Sequence, residues 1–112
     1  MGERGNIAIN GVYLYTHWKG HVLKPILKSA LMRGKSRWDD PPYLARIIFC
    51  EMMDGDNGLT GYGISTRIED NNHNALEVDT NKQIVIERKV NYDSLKLGDV
   101  ISEWTFEDFI AT

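Results

Sequence analysis

The sequence predicts an α+β domain in which an antiparallel sheet is covered on one face by two consecutive helices. Three observations support this. An Asn10-Gly11 hairpin signal opens the chain, two segments with helical spacing follow between residues 20 and 55, and alternating apolar residues return after residue 60. Strands grouped on either side of the helices are typical of α+β proteins. We therefore predict the element order ββααβββα in one domain spanning residues 1–112.

The first two strands are predicted at residues 6–9 and 12–18, on either side of Asn10-Gly11. Asn-Gly is the strongest short signal for a two-residue hairpin, because a type I′ turn needs positive φ at both central residues. The second strand is rich in aromatic residues. We expect it to be partly buried on both faces and to lie near the middle of the sheet.

Two amphipathic helices are predicted next. An apolar stripe begins at Leu23 and recurs at i, i+3, i+4, i+7 and i+8. Pro25 is compatible only with the first helical turn, and Gly34 is a typical stop. Asp40 is a good N-cap for the second helix because its carboxylate can accept a free N–H of the first turn. Pro41 suits the first helical position, and Gly55 is expected to end this helix.

Period-two alternation dominates the remainder of the chain. The predicted strands are residues 62–68, 76–78 and 84–86, which we expect to form an antiparallel meander with a turn at Asp70–Asn74. A short strand near Val100 and a last helical turn with Thr105 as its N-cap would follow. The second face of the sheet would be covered either by the C-terminal aromatic residues or by another copy of the chain.

Composition and cysteine content favour a cytosolic location. Hydrophobic residues make up 42% and charged residues 26% of the sequence, which is ordinary for a soluble globular protein. No apolar run approaches the length of a membrane span, and the N-terminus lacks the apolar region of a signal peptide and fits the myristoylation pattern poorly. The single cysteine, Cys50, excludes an internal disulfide and fits a reducing compartment. We expect Cys50 to be a small core residue and the protein to have no membrane partner.

Charge is distributed unevenly between the two halves of the chain. Residues 1–50 carry eight Lys and Arg against three acidic residues, whereas residues 51–112 carry five against thirteen. The stretch Lys19–Arg37 contains six cations and no carboxylate. Such polarity steers an anionic partner to one face, makes the two halves of a fold attract each other, or lets copies stack head to tail.

The second strand ends in THWKG, which places a hydrogen-bonding ring, an indole and a cation together just before a helix. His17 could act as a general acid or base if the fold brought Asp39, Asp40 or Ser65 to it. The simpler interpretation is a hydrogen-bonded structural histidine. His17 and His21 do not share a helical face as a zinc site would require, so we predict no metal.

Arg37 and Trp38 lie side by side in the loop between the helices, and both residue types are common interface anchors. They interleave aromatic rings with cations, together with Trp18, Lys19, Arg33 and Tyr43, a pattern that can stack bases or hold phosphates. The alternative is that Trp38 packs the two helices together while the cations are only solvated.

Gly58, Gly61 and Gly63 fit neither the Rossmann spacing nor a Walker sequence. This segment is either a plain turn or a mobile lid, carrying Tyr62 and Ser65, that closes over the end of the second strand. No cofactor is predicted, and no complete catalytic set is visible. The predicted binding residues are His17, Trp18, Lys19, Arg33, Arg37, Trp38, Tyr43, Tyr62 and Ser65.

Three blocks of sequence resemble small uncharacterised proteins of bacteriophages and prophages with a Thr-His-Trp-x-Gly strand end. They are THWKG at 16–20, RWDDPPYLARIIF at 37–49 and TGYGIS at 60–65, and the likeness extends over about residues 12–88. The resemblance implies an accessory protein in a bacterial host cytoplasm, where small phage products often bind and block a host factor or sequester a nucleotide signal. It implies no catalytic residue.

We therefore predict a phage-type accessory protein that acts by binding, either to a host protein or to itself as a homo-oligomer. The alternative is a protein that binds or sequesters a phosphorylated small molecule, a nucleotide or a single-stranded nucleic acid. A hydrolase that depends on His17 ranks third.

Overall fold

The chain forms a mixed sheet with helices on one face in the computed structural model, which describes residues 2–68, 71–91, 94 and 96–112. The six strands within these residues are β1 Gly5–Ile9, β2 Val12–Thr16, β3 Tyr62–Ser65, β4 Ala75–Asp79, β5 Ile84–Asn91 and β6 Lys96–Thr105. The α-helices are α1 Leu23–Arg33, α2 Pro41–Met53 and α3 Phe106–Ile110. Short 3₁₀ turns at Gly20–Val22 and Lys35–Arg37 precede α1 and α2. None of the described helices has the length and apolar character needed to cross a membrane.

The first hairpin forms as predicted. Asn10 and Gly11 have φ of 53° and 79°, and the turn pairs Ile9 with Val12. The second strand stops at Thr16 rather than at residue 18. The Thr16 hydroxyl oxygen accepts hydrogen bonds from the backbone N–H groups of Trp18 at 3.3 Å and Lys19 at 3.1 Å. These bonds turn the chain away from the sheet.

The two predicted helices form with small changes at their ends. Pro25 lies in the first turn of α1, and Gly34 follows its last residue. Asp40 occupies the N-cap position of α2, but its side chain makes no capping hydrogen bond. At the other end of α2, Asp54 takes the left-handed conformation (φ 50°) one residue before the predicted glycine. Cys50 on α2 is half-buried, so it is not the core residue expected from its apolar neighbours.

The prediction of a purely antiparallel sheet is wrong. The strand order is β3-β2-β1-β4-β5-β6, and β1 and β4 are parallel, with Ile7 opposite Leu76. The other neighbours are antiparallel. β3 therefore does not begin the predicted meander but pairs with β2 at the opposite edge.

The connection from Thr66 to Asn74 explains the difference. Nine residues span up to about 30 Å when extended, enough to pass the roughly 14 Å that separates the positions of β3 and β4 across two strands. Asp70, in the predicted tight turn, lies outside the described residues. On the described part of this connection, Ile68 is buried and the Asn71 side chain accepts a hydrogen bond from Asn6 at 3.0 Å.

The predicted order ββααβββα also lacks one strand, and the observed order is ββααββββα. The short strand expected near Val100 is the ten-residue β6. Its pairing with β5 is interrupted by register shifts between Glu87 and Arg88 and between Arg88 and Val90. These bulges break the alternation of buried and exposed residues that identifies a strand in sequence.

All three helices contribute to one core on the same face of the sheet. Phe106 and Phe109 of α3 are buried there, and Thr105 caps α3 as predicted by accepting the Asp108 N–H at 3.1 Å. The C-terminal aromatic residues therefore do not cover the second face. That face carries a smaller cluster made of Ile68, Ala75 and Val90, with Tyr13 and Leu97 packed against it.

Candidate functional site

Four of the predicted site residues meet where β2 ends beside the start of β3. The Trp18 ring is 45% exposed and lies edge-on to Tyr62, with ring centroids 5.7 Å apart. It also lies edge-on to the His17 ring, with centroids 5.8 Å apart. Lys19 places its ammonium 5.3 Å from the Tyr62 centroid and donates a 2.8 Å hydrogen bond to the main-chain oxygen of Met52. A cation at the carboxyl end of α2 is also favourable for the helix dipole.

Gly61 fixes this arrangement. It has φ of +97°, and a Cβ added to it would overlap the Trp18 ring. Its carbonyl oxygen accepts the His17 N–H at 2.8 Å, which continues the ladder between β2 and β3. Only glycine satisfies both the positive φ and the close approach of the indole. Ser65 lies on the opposite face of β3, where its hydroxyl oxygen accepts the Arg67 N–H at 3.2 Å.

His17 has a structural environment. Its Nδ1 lies 3.0 Å from the Tyr15 hydroxyl, and its ring contacts Trp18. Asp40 was one of the acid–base partners considered for His17. Its carboxylate instead lies 3.6 Å from the Arg37 guanidinium, immediately before α2. The geometry therefore gives this histidine a hydrogen-bonding and packing role at the strand end.

Arg37, Trp38 and Tyr43 form a second group near the amino end of α2. Arg37 lies over the Tyr43 ring at 5.0 Å, and both side chains are about half exposed. Trp38 is only 8% exposed, and its indole N–H donates to the Leu31 carbonyl oxygen at 2.9 Å. It also packs against Phe106 with centroids 5.2 Å apart. Trp38 is thus a core residue that joins α1 to α3.

The nine predicted residues do not converge on one site. Tyr43 and Met52, the residue that accepts the Lys19 hydrogen bond, are nine positions apart on α2, which corresponds to about 14 Å along the helix axis. Arg33 lies between the two groups, where it binds the Glu51 carboxylate at 3.0 Å and the Ile47 carbonyl oxygen at 3.2 Å.

Each cation of the Lys19–Arg37 stretch has a partner within the fold. Lys19 and Lys28 donate to main-chain oxygens, of Met52 and Thr112. The other four pair with carboxylates: Lys24 with Glu87 at 3.0 Å, Arg33 with Glu51 at 3.0 Å, Lys35 with Glu107 at 3.8 Å and Arg37 with Asp40 at 3.6 Å. Three of these four carboxylates belong to the acidic half of the chain. Basic residues of the first half of the chain therefore pair with carboxylates of the second half within one fold.

Sequence reasoning missed two exposed apolar residues, one in the segment before β3 and one on β3 itself. Leu59 is fully exposed, and Ile64 is 60% exposed on the same side of β3 as Tyr62. The signal available in the sequence was the absence of any charged residue from Asn57 to Thr66.

The hydrogen-bonding groups of β3 alternate between β2 and the open edge. The bond from His17 N–H to Gly61 makes these two residues a hydrogen-bonded pair of the antiparallel ladder, so Tyr15–Gly63 is one as well. The two-residue hairpin requires the same phase, because it closes on the bonded pair of Ile9 and Val12. Tyr62 and Ile64 therefore direct their backbone N–H and C=O groups away from the sheet.

The other edge of the sheet, β6, has features that discourage pairing. Val100 and Ile101 are exposed, but the strand carries Lys96, Asp99 and Glu103 and is distorted by its bulges. Charges and bulges are the usual means by which natural proteins protect an edge strand. β3 has neither.

His17 and His21, which were considered and rejected as a zinc pair, have different partners. His21 Nδ1 lies 3.7 Å from the Glu3 carboxylate, whereas His17 bonds Tyr15. Across the described ranges, no group of three or more His, Cys, Asp and Glu side chains is arranged to hold a metal ion. No protein-family model, curated protein or solved structure gives a significant match to the chain.

Proposed function

We propose that this chain is a non-catalytic binding protein that takes an extended segment of a partner protein along β3. The observation that supports the proposal best is the open edge itself. The backbone groups of Tyr62 and Ile64 point outward beside the exposed Trp18 ring, in a segment without charge. Strand addition of this kind obtains affinity from main-chain hydrogen bonds and specificity from alternate side chains.

The chemistry of the edge defines the partner segment. Tyr62 and Ile64 project from the same side of β3, so an added strand would place every second side chain beside them. Trp and Tyr are the residues that most often dominate binding energy. No carboxylate or ammonium of residues 57–66 has to be desolvated. A β-prone segment with apolar residues at alternate positions fits best.

The alternative of a phosphorylated ligand or single-stranded nucleic acid has less support. The cations that would hold phosphates are engaged with carboxylates or main-chain oxygens, and Trp38 is buried. With the phage-type resemblance, the proposal extends to a small accessory protein in a bacterial host cytoplasm that binds a host protein or another copy of itself.

A displayed library of random heptapeptides, selected on the immobilised full-length protein, tests the proposal. We expect enrichment of β-branched and aromatic residues at alternate positions, and slower hydrogen exchange of the Tyr62 and Ile64 amides when a selected peptide is bound. Trp18→Ala and Ile64→Lys should each weaken binding by about tenfold or more. The matched control is Val100→Lys on the β6 edge, which should bind normally. Selected peptides that bind the β3 variants as tightly as the wild type would refute the proposal.

A further inference from the structure

We infer that the segment taken by this edge is β3 of a second copy of the chain, paired antiparallel about a two-fold axis through Gly63. The inference rests on the proposed function, since it names the partner of the same edge. It follows from the direction of the backbone groups, the side chains beside them and the charge of the two edges.

The hydrogen-bonding pattern of β3 is self-complementary in this register. A two-fold axis through Gly63 places Tyr62 of one copy opposite Ile64 of the other, and the reverse. Both residues direct N–H and C=O outward. Each pair therefore exchanges two hydrogen bonds, and the two symmetric pairs form four. An axis moved by one residue, to Tyr62 or to Ile64, shifts the register by two and would pair one of these residues with a position outside the strand.

The centre of the register has room for the close approach. The two Gly63 residues would form a non-hydrogen-bonded pair, in which the Cα atoms of antiparallel strands come within about 4.5 Å. An added Cβ at Gly63 meets no atom within 4 Å in its own chain. No side chain thus opposes the approach of the strands at the axis.

The side chains on the helix-covered side complete the match. Tyr62 faces Ile64 of the other copy, and aromatic with β-branched residues are favourable cross-strand pairs. Trp18 flanks Tyr62 in each copy, so the ring lies next to the apolar pair. Pairing therefore removes the exposed surfaces of Ile64, Tyr62 and Trp18 in both copies from water.

Charge favours β3 over β6 as the self-pairing edge. Two copies of the uncharged segment 57–66 do not repel each other. Pairing through β6 about an axis at Ile101, for example, would place Asp99 of one copy opposite Glu103 of the other. Like charges across antiparallel strands are destabilising.

The product is a twelve-stranded sheet made of two six-stranded halves. Because β3 is four residues long, the interface is at the small end of specific contacts, and the dimer dissociates on dilution.

Disulfide trapping tests the register. Gly63→Cys is made in a Cys50→Ser background, because the native thiol is partly exposed. The Cα separation expected at the axis lies within the range that disulfides span. The matched control is Ser65→Cys, whose two copies would be four residues apart along the strand direction, about 14 Å. Mild oxidation should give a covalent dimer with cysteine at 63 and none with cysteine at 65.

Sedimentation over a range of concentrations tests the dimer without new cysteines. Wild type should self-associate reversibly. Ile64→Lys should raise the dissociation constant about tenfold or more, and Val100→Lys should leave it unchanged.

A wild type that stays monomeric, with no cross-link at position 63, would overturn the inference. If selected heptapeptides still slowed exchange at Tyr62 and Ile64, the proposed function would stand and only its partner would be wrong. Absence of both self-association and peptide binding would remove both proposals. Equal cross-linking at positions 63 and 65 would overturn the register.

Discussion

Replacing Trp38 with alanine should destabilise the protein strongly, although the sequence analysis counted this residue among the predicted binding residues, with packing between the helices as the alternative. Its ring is almost completely buried against Phe106, and its indole N–H satisfies the Leu31 carbonyl oxygen. That carbonyl belongs to the last turn of α1, where the helix itself provides no partner. The substitution therefore removes both packing and a cap.

The expected loss follows from the burial. Truncation of a buried Trp to Ala typically lowers the free energy of unfolding by about 3–5 kcal/mol. Domains of this size are stable by roughly 5–15 kcal/mol, so the loss is a third or more of the total in many cases. At about 4 °C per kcal/mol, the melting temperature should fall by about 10–20 °C.

Two matched variants separate this effect from its neighbours. Trp18→Ala removes the same side chain from a half-exposed position and should cost only about 1–2 kcal/mol, because less apolar area returns to water. Arg37→Ala breaks an exposed ion pair and should change stability by less than about 1 kcal/mol. Urea unfolding followed by circular dichroism gives all three values on one scale.

The reasoning would be refuted if Trp38→Ala unfolded at the same urea concentration as the wild type, or if Trp18→Ala were equally destabilised. The two tryptophans should also separate by function. In the sedimentation assay, Trp18→Ala should weaken self-association, whereas any folded fraction of Trp38→Ala should dimerise like the wild type.

Three further substitutions test individual contacts by urea unfolding. Thr105→Ala removes the oxygen that accepts the Asp108 N–H and should cost about 1 kcal/mol, whereas Thr105→Ser should cost little; equal losses would argue against the cap. Lys24→Met leaves the nearly buried Glu87 carboxylate without its 3.0 Å partner and should cost about 1–3 kcal/mol, most of it recovered when Glu87→Gln is added. Gly61→Ala places a Cβ into the indole at positive φ and should lose about 1–3 kcal/mol together with self-association, while Gly58→Ala serves as the control; a stable, dimeric Gly61→Ala would contradict the site geometry.

Local structure was predictable where a local interaction determines it. The Asn10-Gly11 turn, the stop at Gly34 and the Thr105 cap each depend on residues within a few positions of one another. The extent of β2 was overestimated, because the Thr16 hydroxyl bonds that end the strand compete with an aromatic pattern that favours its continuation.

Strand pairing was harder to predict because it depends on contacts between distant segments. A run of Asn and Asp residues after Ile68 is typical of a tight turn, yet the chain passes β2 and β1 and forms β4 on the far side of β1. The burial of Ile68 and the Asn71–Asn6 bond contribute to that crossing, and neither is visible as a periodic pattern.

The candidate site was only partly predictable, because it too depends on which distant segments the fold brings together. Trp18 and Tyr62 were both identified, but Trp38 was grouped with them because cations and aromatic rings adjoin it in sequence. Only the fold separates the two tryptophans, by placing one against α3 and the other over Gly61. Ile64 was read as one residue of an alternating strand, and its exposure follows from the position of β3 at the edge.

The position of β3 also explains why the proposed surface is small and reversible. If β3 had joined a meander beside β4, the aromatic strand β2 would be an edge, and Tyr13 and Tyr15 would direct their backbone groups to solvent. Long uncharged edges of that kind promote aggregation. β3 pairs with β2 and becomes the edge in its place. On β3 only Tyr62 and Ile64 direct their backbone N–H and C=O groups outward. Two such residues suffice for one symmetric pair of strands, and the closed two-fold contact uses the outward groups of both copies, so it does not propagate into a fibre.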